Sequence, residues 1–254
     1  MTKPYLLHSN YLFVFGLIVL VTGLPLSLFL ISISQFILAG SFFLEGNFID
    51  KFKRFLSNRS ALLFTGVWLM HVVGLLWTTD LVQGWNDIRI KLPILVLPLI
   101  LSGSDPLTRK QFQLVLSFFI AAVFIGSLVS MSVLTGIIHR DVIDIRDVFI
   151  FKISHVRFGL FTCIAIFSLY YFVFTDKSIT NSLYKAGALL LSAWLVVFLF
   201  IVESLTGLTV LVSVSALLFI ANIWNRQAGP GKIILILILI AIPGIIFYLL
   251  DKTY

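Results

Sequence analysis

Charge is scarce in this chain. Asp, Glu, Lys and Arg make up 11% of its 254 residues, against 60% hydrophobic residues and a mean hydropathy of +1.11. A water-soluble domain carries about 25% charged residues. A chain this poor in charge cannot cover a globular surface, so its apolar excess has to face lipid. Cysteine is almost missing as well. Cys163 stands alone inside an apolar run, which excludes an internal disulfide, a CxxC redox pair and a cysteine-rich metal site. There is no Walker A loop, no HExxH, no GxSxG and no dinucleotide-binding glycine fingerprint. No carboxylate pair falls at helical spacing within an apolar run, which argues against a proton pump or ion transporter. No internal repeat supports an inverted-repeat transporter. The residues call for no metal and no other cofactor.

What the chain does have is apolar runs separated by short basic clusters. Its formal net charge is +7, yet the cations form no basic face, so a nucleic-acid partner is not expected. The apolar stretch from Tyr11 continues to about Glu45, too long for the core of a cleaved signal peptide. A spanning helix needs about 17–25 mostly apolar residues, and about nine runs are predicted to span. They are Tyr11–Thr22, Leu26–Leu44, Ala61–Thr78, Ile88–Leu101, Gln111–Ile138, Ser154–Phe174, Leu183–Val202, Thr206–Trp224 and Lys232–Leu250. Gly23-Leu24-Pro25 is expected to turn the chain between the first two, because Gly and Pro interrupt helices. The fold expected is all-α: a polytopic integral membrane helical bundle, a single transmembrane domain over residues 1–254.

Lys and Arg set the orientation, because cytoplasmic segments are enriched in them. With the N-terminus inside, the cytoplasmic segments hold Lys3, Lys51, Lys53, Arg54, Arg59, Arg109, Lys110, Lys177, Lys185, Arg226 and Lys232, eleven of the 18 basic residues. The outer face receives Arg89, Lys91, Arg140, Arg146, Lys152, Arg157 and Lys252. The turns at residues 23–25 and 203–206 carry no cation. An odd number of spans then leaves Asp251-Lys252-Thr253-Tyr254 outside. An ending so soon after an apolar run reads as a natural C-terminus or as a truncation ahead of a larger external segment.

An ionisable group near the membrane centre costs about 2.5 kcal/mol or more, so charges in or beside spans mark candidate sites. Two clusters qualify, both assigned to the outer side. In Trp85-Asn86-Asp87-Ile88-Arg89-Ile90-Lys91-Leu92-Pro93, Pro93 lacks an N–H, so the Arg89 carbonyl is expected to lose its helical partner. Arg89 offers a planar fork of donors suited to phosphate oxygens and Lys91 a point charge; the plainer reading has both snorkel to headgroups. In Lys152-Ile153-Ser154-His155-Val156-Arg157-Phe158-Gly159, Lys152 and His155 share a helix face, as do Ser154 and Arg157. Arg157 is the deepest cation there, and Gly159 leaves room for a neighbouring helix or a ligand. The plainer reading has His155 bond a backbone carbonyl while Arg157 snorkels. Arg146, in the outer loop from His139 to Asp147, reads mainly as solvated surface. Glu203 either pairs with a cation at its membrane-embedded turn or caps a helix. His71, within a span, reads as an interhelical hydrogen-bond partner.

A family resemblance rests on four short motifs and their order: Gly23-Leu24-Pro25-Leu26-Ser27, Leu75-Leu76-Trp77-Thr78-Thr79-Asp80, Asp87-Ile88-Arg89-Ile90-Lys91-Leu92-Pro93 and Ser154-His155-Val156-Arg157-Phe158. Over essentially its whole length the chain resembles the O-antigen ligase and polymerase family of bacterial envelope glycosyltransferases. The resemblance implies a multi-pass protein of the bacterial inner membrane acting in lipopolysaccharide biosynthesis. Such enzymes move a glycan from an undecaprenyl-pyrophosphate carrier onto lipid A–core or another glycan, without metal or nucleotide sugar. It further implies that outer-face cations hold the pyrophosphate, which here are Arg89, Lys91, Arg157 and His155. The family's acceptor-activating histidine belongs to a large periplasmic loop after the ninth span, so no catalytic residue is expected within these 254 residues. The family often has Arg after the Ser that opens the eighth span, whereas Ser204 is followed by Leu205. The chain thus reads as the N-terminal part of such an enzyme, inactive alone, an expectation that robust glycan transfer by the purified chain would contradict. The polymerase of the same family shares the donor and differs in acceptor. A transporter or flippase for an amphipathic anion would need discontinuous helices and pseudo-symmetric halves. A purely structural membrane subunit would tolerate Arg89→Ala and Arg157→Ala together.

Overall fold

Lipid offers no partner to a backbone N–H or C=O, so an apolar chain that enters it must satisfy those groups within the segment, and helices do so. The computed structural model describes residues 4–139, 153–175 and 181–226, and among them there are helices and no strand. In order these are α1 (Pro4–Leu26), α2 (Leu28–Glu45), α3 (Phe48–Ser57), α4 (Arg59–Gly74, continued by a 3₁₀ turn Leu75–Trp77), α5 (Leu81–Ile90), α6 (Pro93–Gly103), α7 (Arg109–Leu134), α8 (His155–Tyr170, continued by a π turn Tyr171–Thr175), α9 (Ser182–Ile201) and α10 (Leu205–Arg226). Five are long and apolar enough to cross a membrane: α2, α4 with its 3₁₀ turn, α7, α8 with its π turn, and α9. Asn10–Leu26 and Leu205–Ala221 are apolar but shorter. This is a membrane protein. The ninth predicted span, Lys232–Leu250, lies outside the described residues, as do Arg140, Arg146, Lys152 and Lys177.

The chain divides into two compact units, α1–α7 and α8–α10. In the first, α1 packs along α2 and α7, while α6 packs on α2, α3 and α4. Phe13 and Leu17 of α1, Leu38 and Phe42 of α2, Ile100 of α6 and Val115 of α7 form its core. Buried hydroxyls turn back on their own helices: Ser41 donates to the Leu38 carbonyl (2.9 Å) and Ser127 to that of Phe124 (2.7 Å), so neither is left unpaired in an apolar setting. In the second unit α8 packs against both α9 and α10, and Phe158 meets Phe198 edge to face at 5.8 Å.

Three boundaries differ from the sequence expectation, each for a local reason. Gly23-Leu24-Pro25 does not turn the chain: α1 runs through it to Leu26, and the reversal is made by Ser27 alone, in extended backbone at φ −162°. Ser27 caps α2 by accepting from the Leu30 N–H at 3.4 Å. Gly23 serves packing instead, since a Cβ there would come within 2.9 Å of the Ile31 nitrogen. The second difference is α3, which folds in the basic segment between the second and third predicted spans, where no helix was predicted. The third is the fourth predicted span, Ile88–Leu101, which is not one helix: α5 and α6 are separated at Lys91-Leu92. Proline sets that break, because Pro93 starts a new helix at its N1 position, where the missing N–H costs nothing.

Candidate functional site

The first candidate cluster is built on α5. Asp80 caps this helix by accepting from the Gln83 N–H at 3.0 Å, and Gly84 lets α5 approach the 3₁₀ turn, where a Cβ would fall 2.5 Å from the Leu75 side chain. The Arg89 carbonyl is not left open as expected. The Leu92 N–H donates to it at 3.2 Å, so the chain tightens by one residue rather than exposing an acceptor. The polarity at this break therefore comes from side chains. Lys91, half-buried, donates to Asp87 at 3.2 Å, an i,i+4 pair. Arg89 is exposed and has no side-chain partner among the described residues. Beside it lies an open cavity of about 380 Å³ bounded by Met70, His71, Thr78, Asp87 and Ile88. His71 bonds within its own helix, Nδ1–H to the Val67 carbonyl at 2.8 Å, and the bond expected to a neighbouring helix is not seen among the described residues.

At the opposite end of α4 and α6 two of the cations, Lys51 and Arg54, are engaged. α4 rises about 24 Å at 1.5 Å per residue. Near its start, Lys51 of α3 forms an ion pair with Glu45 at 3.0 Å and donates to the Phe42 carbonyl at 2.5 Å, with only 2% of its side chain exposed. Arg54 donates to Asp105 at 2.6 Å and to the Gly103 carbonyl at 3.3 Å. In the sequence Lys51 and Arg54 signal orientation and nothing more. The spacing of Phe48, Phe52 and Phe55 after Asn47 is the available sign of an amphipathic helix there.

The second cluster opens α8. Ser154 caps the helix, its hydroxyl accepting from the Arg157 N–H at 3.4 Å. His155 is half-buried and Arg157 exposed, and neither side chain has a partner among the described residues. One turn on, the room left by Gly159 is taken by a helix: its Cβ would lie 2.3 Å from Ser204 Oγ and 3.6 Å from Gly207 Cα. Ser204, buried, accepts from the Gly207 N–H at 3.3 Å, and the Cys163 thiol donates to the Gly207 carbonyl at 3.1 Å. The α8 N-terminus is thereby fixed against the α9–α10 turn. In that turn the Glu203 N–H donates to the Phe200 carbonyl and the Ser204 N–H to that of Leu199, both at 3.2 Å. This is the two-bond helix ending that usually has glycine at its left-handed residue. Here that residue is Glu203, at φ 50°, exposed beside the α8 N-terminus. Glu203→Gly is expected to raise stability by about 1 kcal/mol, the ordinary cost of a left-handed side chain. An unchanged or lower unfolding midpoint would mean that the carboxylate makes compensating contacts.

Arg89 and Lys91 thus belong to one unit and His155 and Arg157 to the other. Among the described residues no three His, Cys, Asp or Glu side chains gather as a metal site. The chain matches no protein-family model, no curated protein and no solved structure.

Proposed function

We propose that this protein is an O-antigen ligase-like membrane transferase component that holds an undecaprenyl-pyrophosphate-linked glycan at the outer membrane face. One observation carries the reading: Arg89 in the first unit and Arg157 in the second, both assigned to that face, are exposed and lack side-chain partners among the described residues, so each cluster is by itself a candidate phosphate contact. An unpaired guanidinium at a lipid boundary is a forked donor free to take phosphate oxygens. The start of α8 adds the positive end of a helix dipole beside His155 and Arg157. Lys91, shared with Asp87, contributes less. The glycan bond would be broken by groups outside these residues, whose own part is to bind and orient the donor. The acceptor would be lipid A–core in a ligase or another glycan in a polymerase.

The test is binding of undecaprenyl pyrophosphate by the purified chain in a nonionic detergent. Arg89→Ala or Arg157→Ala, whichever cluster holds the pyrophosphate, is expected to weaken it about ten-fold, as loss of a hydrogen bond to a charged group should. Wild-type affinity in both variants would overturn the site. A second reading, a transporter for the same amphipathic anion, is favoured by the break at Lys91-Leu92. Transporters interrupt their helices where they bind substrate. Movement of a labelled lipid pyrophosphate across reconstituted vesicles would favour transport over transfer.

A further inference from the structure

The short helix α3 has three faces. At 3.6 residues per turn, Phe48, Phe52, Leu56 and Ile49 fall within an arc of about 100°, and all four are exposed. The adjacent arc, Lys51 and Phe55, is buried against the unit. The remaining arc carries Asp50, Lys53, Arg54 and Ser57. A helix with one exposed apolar face and one charged face lies in the membrane interface rather than across it. Its exposed apolar face continues into a groove of about 550 Å³ lined by Phe42, Phe48, Ile49, Phe52 and Leu99, with Lys53 as the one charged lining residue.

We propose that this groove binds a single anionic phospholipid, with an acyl chain along Phe48, Phe52 and Leu99 and the headgroup phosphate on Lys53. Charge complementarity selects the occupant. Of the cations at this end, Lys51 is used by Glu45 and Arg54 by Asp105. Lys53 and the exposed Arg59 have no side-chain partner among the described residues. An ammonium at the rim of an aromatic groove meets a lipid phosphate at the depth where α3 places it, and a net negative headgroup adds attraction that a zwitterionic one cannot. The Lys51 and Arg54 bonds hold α3 in place, so the groove is formed before lipid arrives. The site stands apart from the glycan reading, because neither Arg89 nor Arg157 takes part.

The whole chain in a nonionic detergent, probed by native mass spectrometry with phosphatidylglycerol or phosphatidylcholine of matched acyl chains, tests this. Wild type is expected to retain one phosphatidylglycerol with about five-fold preference, the attraction of one lysine for an anionic lipid. Lys53→Gln should abolish that preference while leaving phosphatidylcholine retention unchanged, and Leu99→Trp, which fills the groove, should lower retention of both lipids. Equal retention of the two lipids by wild type, or a preference surviving Lys53→Gln, would overturn the proposal. So would Leu99→Trp, shown to be folded by its helical circular dichroism, binding phosphatidylglycerol as wild type does.

Discussion

Lys51→Ala is expected to destabilise the α1–α7 unit by about 3–5 kcal/mol, the cost of removing one partner from a buried ion pair. Three attachments go together. The Lys51 ammonium pairs with Glu45 at 3.0 Å, donates to the Phe42 carbonyl at 2.5 Å and stands 4.1 Å from the centre of the Phe42 ring. Its stem fills the space beside Gly103, where a Cβ would meet the Lys51 Cβ at 3.2 Å. Glu45 is 18% exposed, so part of its charge can still reach water, which favours the lower end of that range. Lys51→Met keeps the stem and removes only the charge. Combined with Glu45→Gln it should recover part of the loss, because the stranded carboxylate is then gone. Equilibrium unfolding in mixed micelles, followed by helical circular dichroism, measures each variant. A Lys51→Ala midpoint equal to wild type would show that α3 is not held by this residue.

Gly159→Val should cost the α8–α10 unit about 3 kcal/mol, the upper end of the usual penalty for overpacking. A Cβ at residue 159 meets Ser204 Oγ at 2.3 Å and Ser204 Cβ at 3.3 Å, with Gly207 Cα 3.6 Å away. The hydroxyl cannot swing aside freely, because it accepts the Gly207 N–H inside a buried turn. Relief therefore requires α10 to move from α8, which stretches the Cys163–Gly207 bond of 3.1 Å. Gly159→Ala should cost less, and less again in a Ser204→Ala background, since part of the clash is with the hydroxyl. Strict additivity of those two substitutions would argue that the helices do not meet as described. The same displacement would shift Arg157 against the α9–α10 turn, so Gly159→Val should also weaken lipid-pyrophosphate binding if Arg157 contributes to it.

Much of the fold was legible in the sequence wherever one property decided it. The paucity of charge and the long apolar runs implied a helical membrane protein, and the runs 111–138, 154–174, 183–202 and 206–224 correspond to α7 to α10 within a few residues. Composition suffices there because in lipid a helix satisfies its own backbone and needs no distant partner. The candidate cations were legible for the same reason, since a charge in an apolar run is conspicuous. Their engagement was not. Nothing in the residue order says that Lys51 is tied to Glu45 while Arg89 is unpaired, because each outcome depends on which helices become neighbours.

Short elements are harder to read from residue order because their signals compete. Pro25 and Gly23 spell a turn, yet Ser27 can reverse the chain by itself and Gly23 is needed where α1 meets α2. Residues 48–57 read only as a basic cytoplasmic segment, with no helix predicted, but the Phe42, Glu45, Gly103 and Asp105 groups that receive α3 come from elements before and after it. Charge scarcity, then, was decisive for where the chain must live: too few polar groups to meet water leave only lipid. Apart from the local Asp87–Lys91 pair on α5, where the few charges go was decided by tertiary structure, because an ammonium or guanidinium takes whichever carboxylate or carbonyl the packed helices bring within about 3 Å.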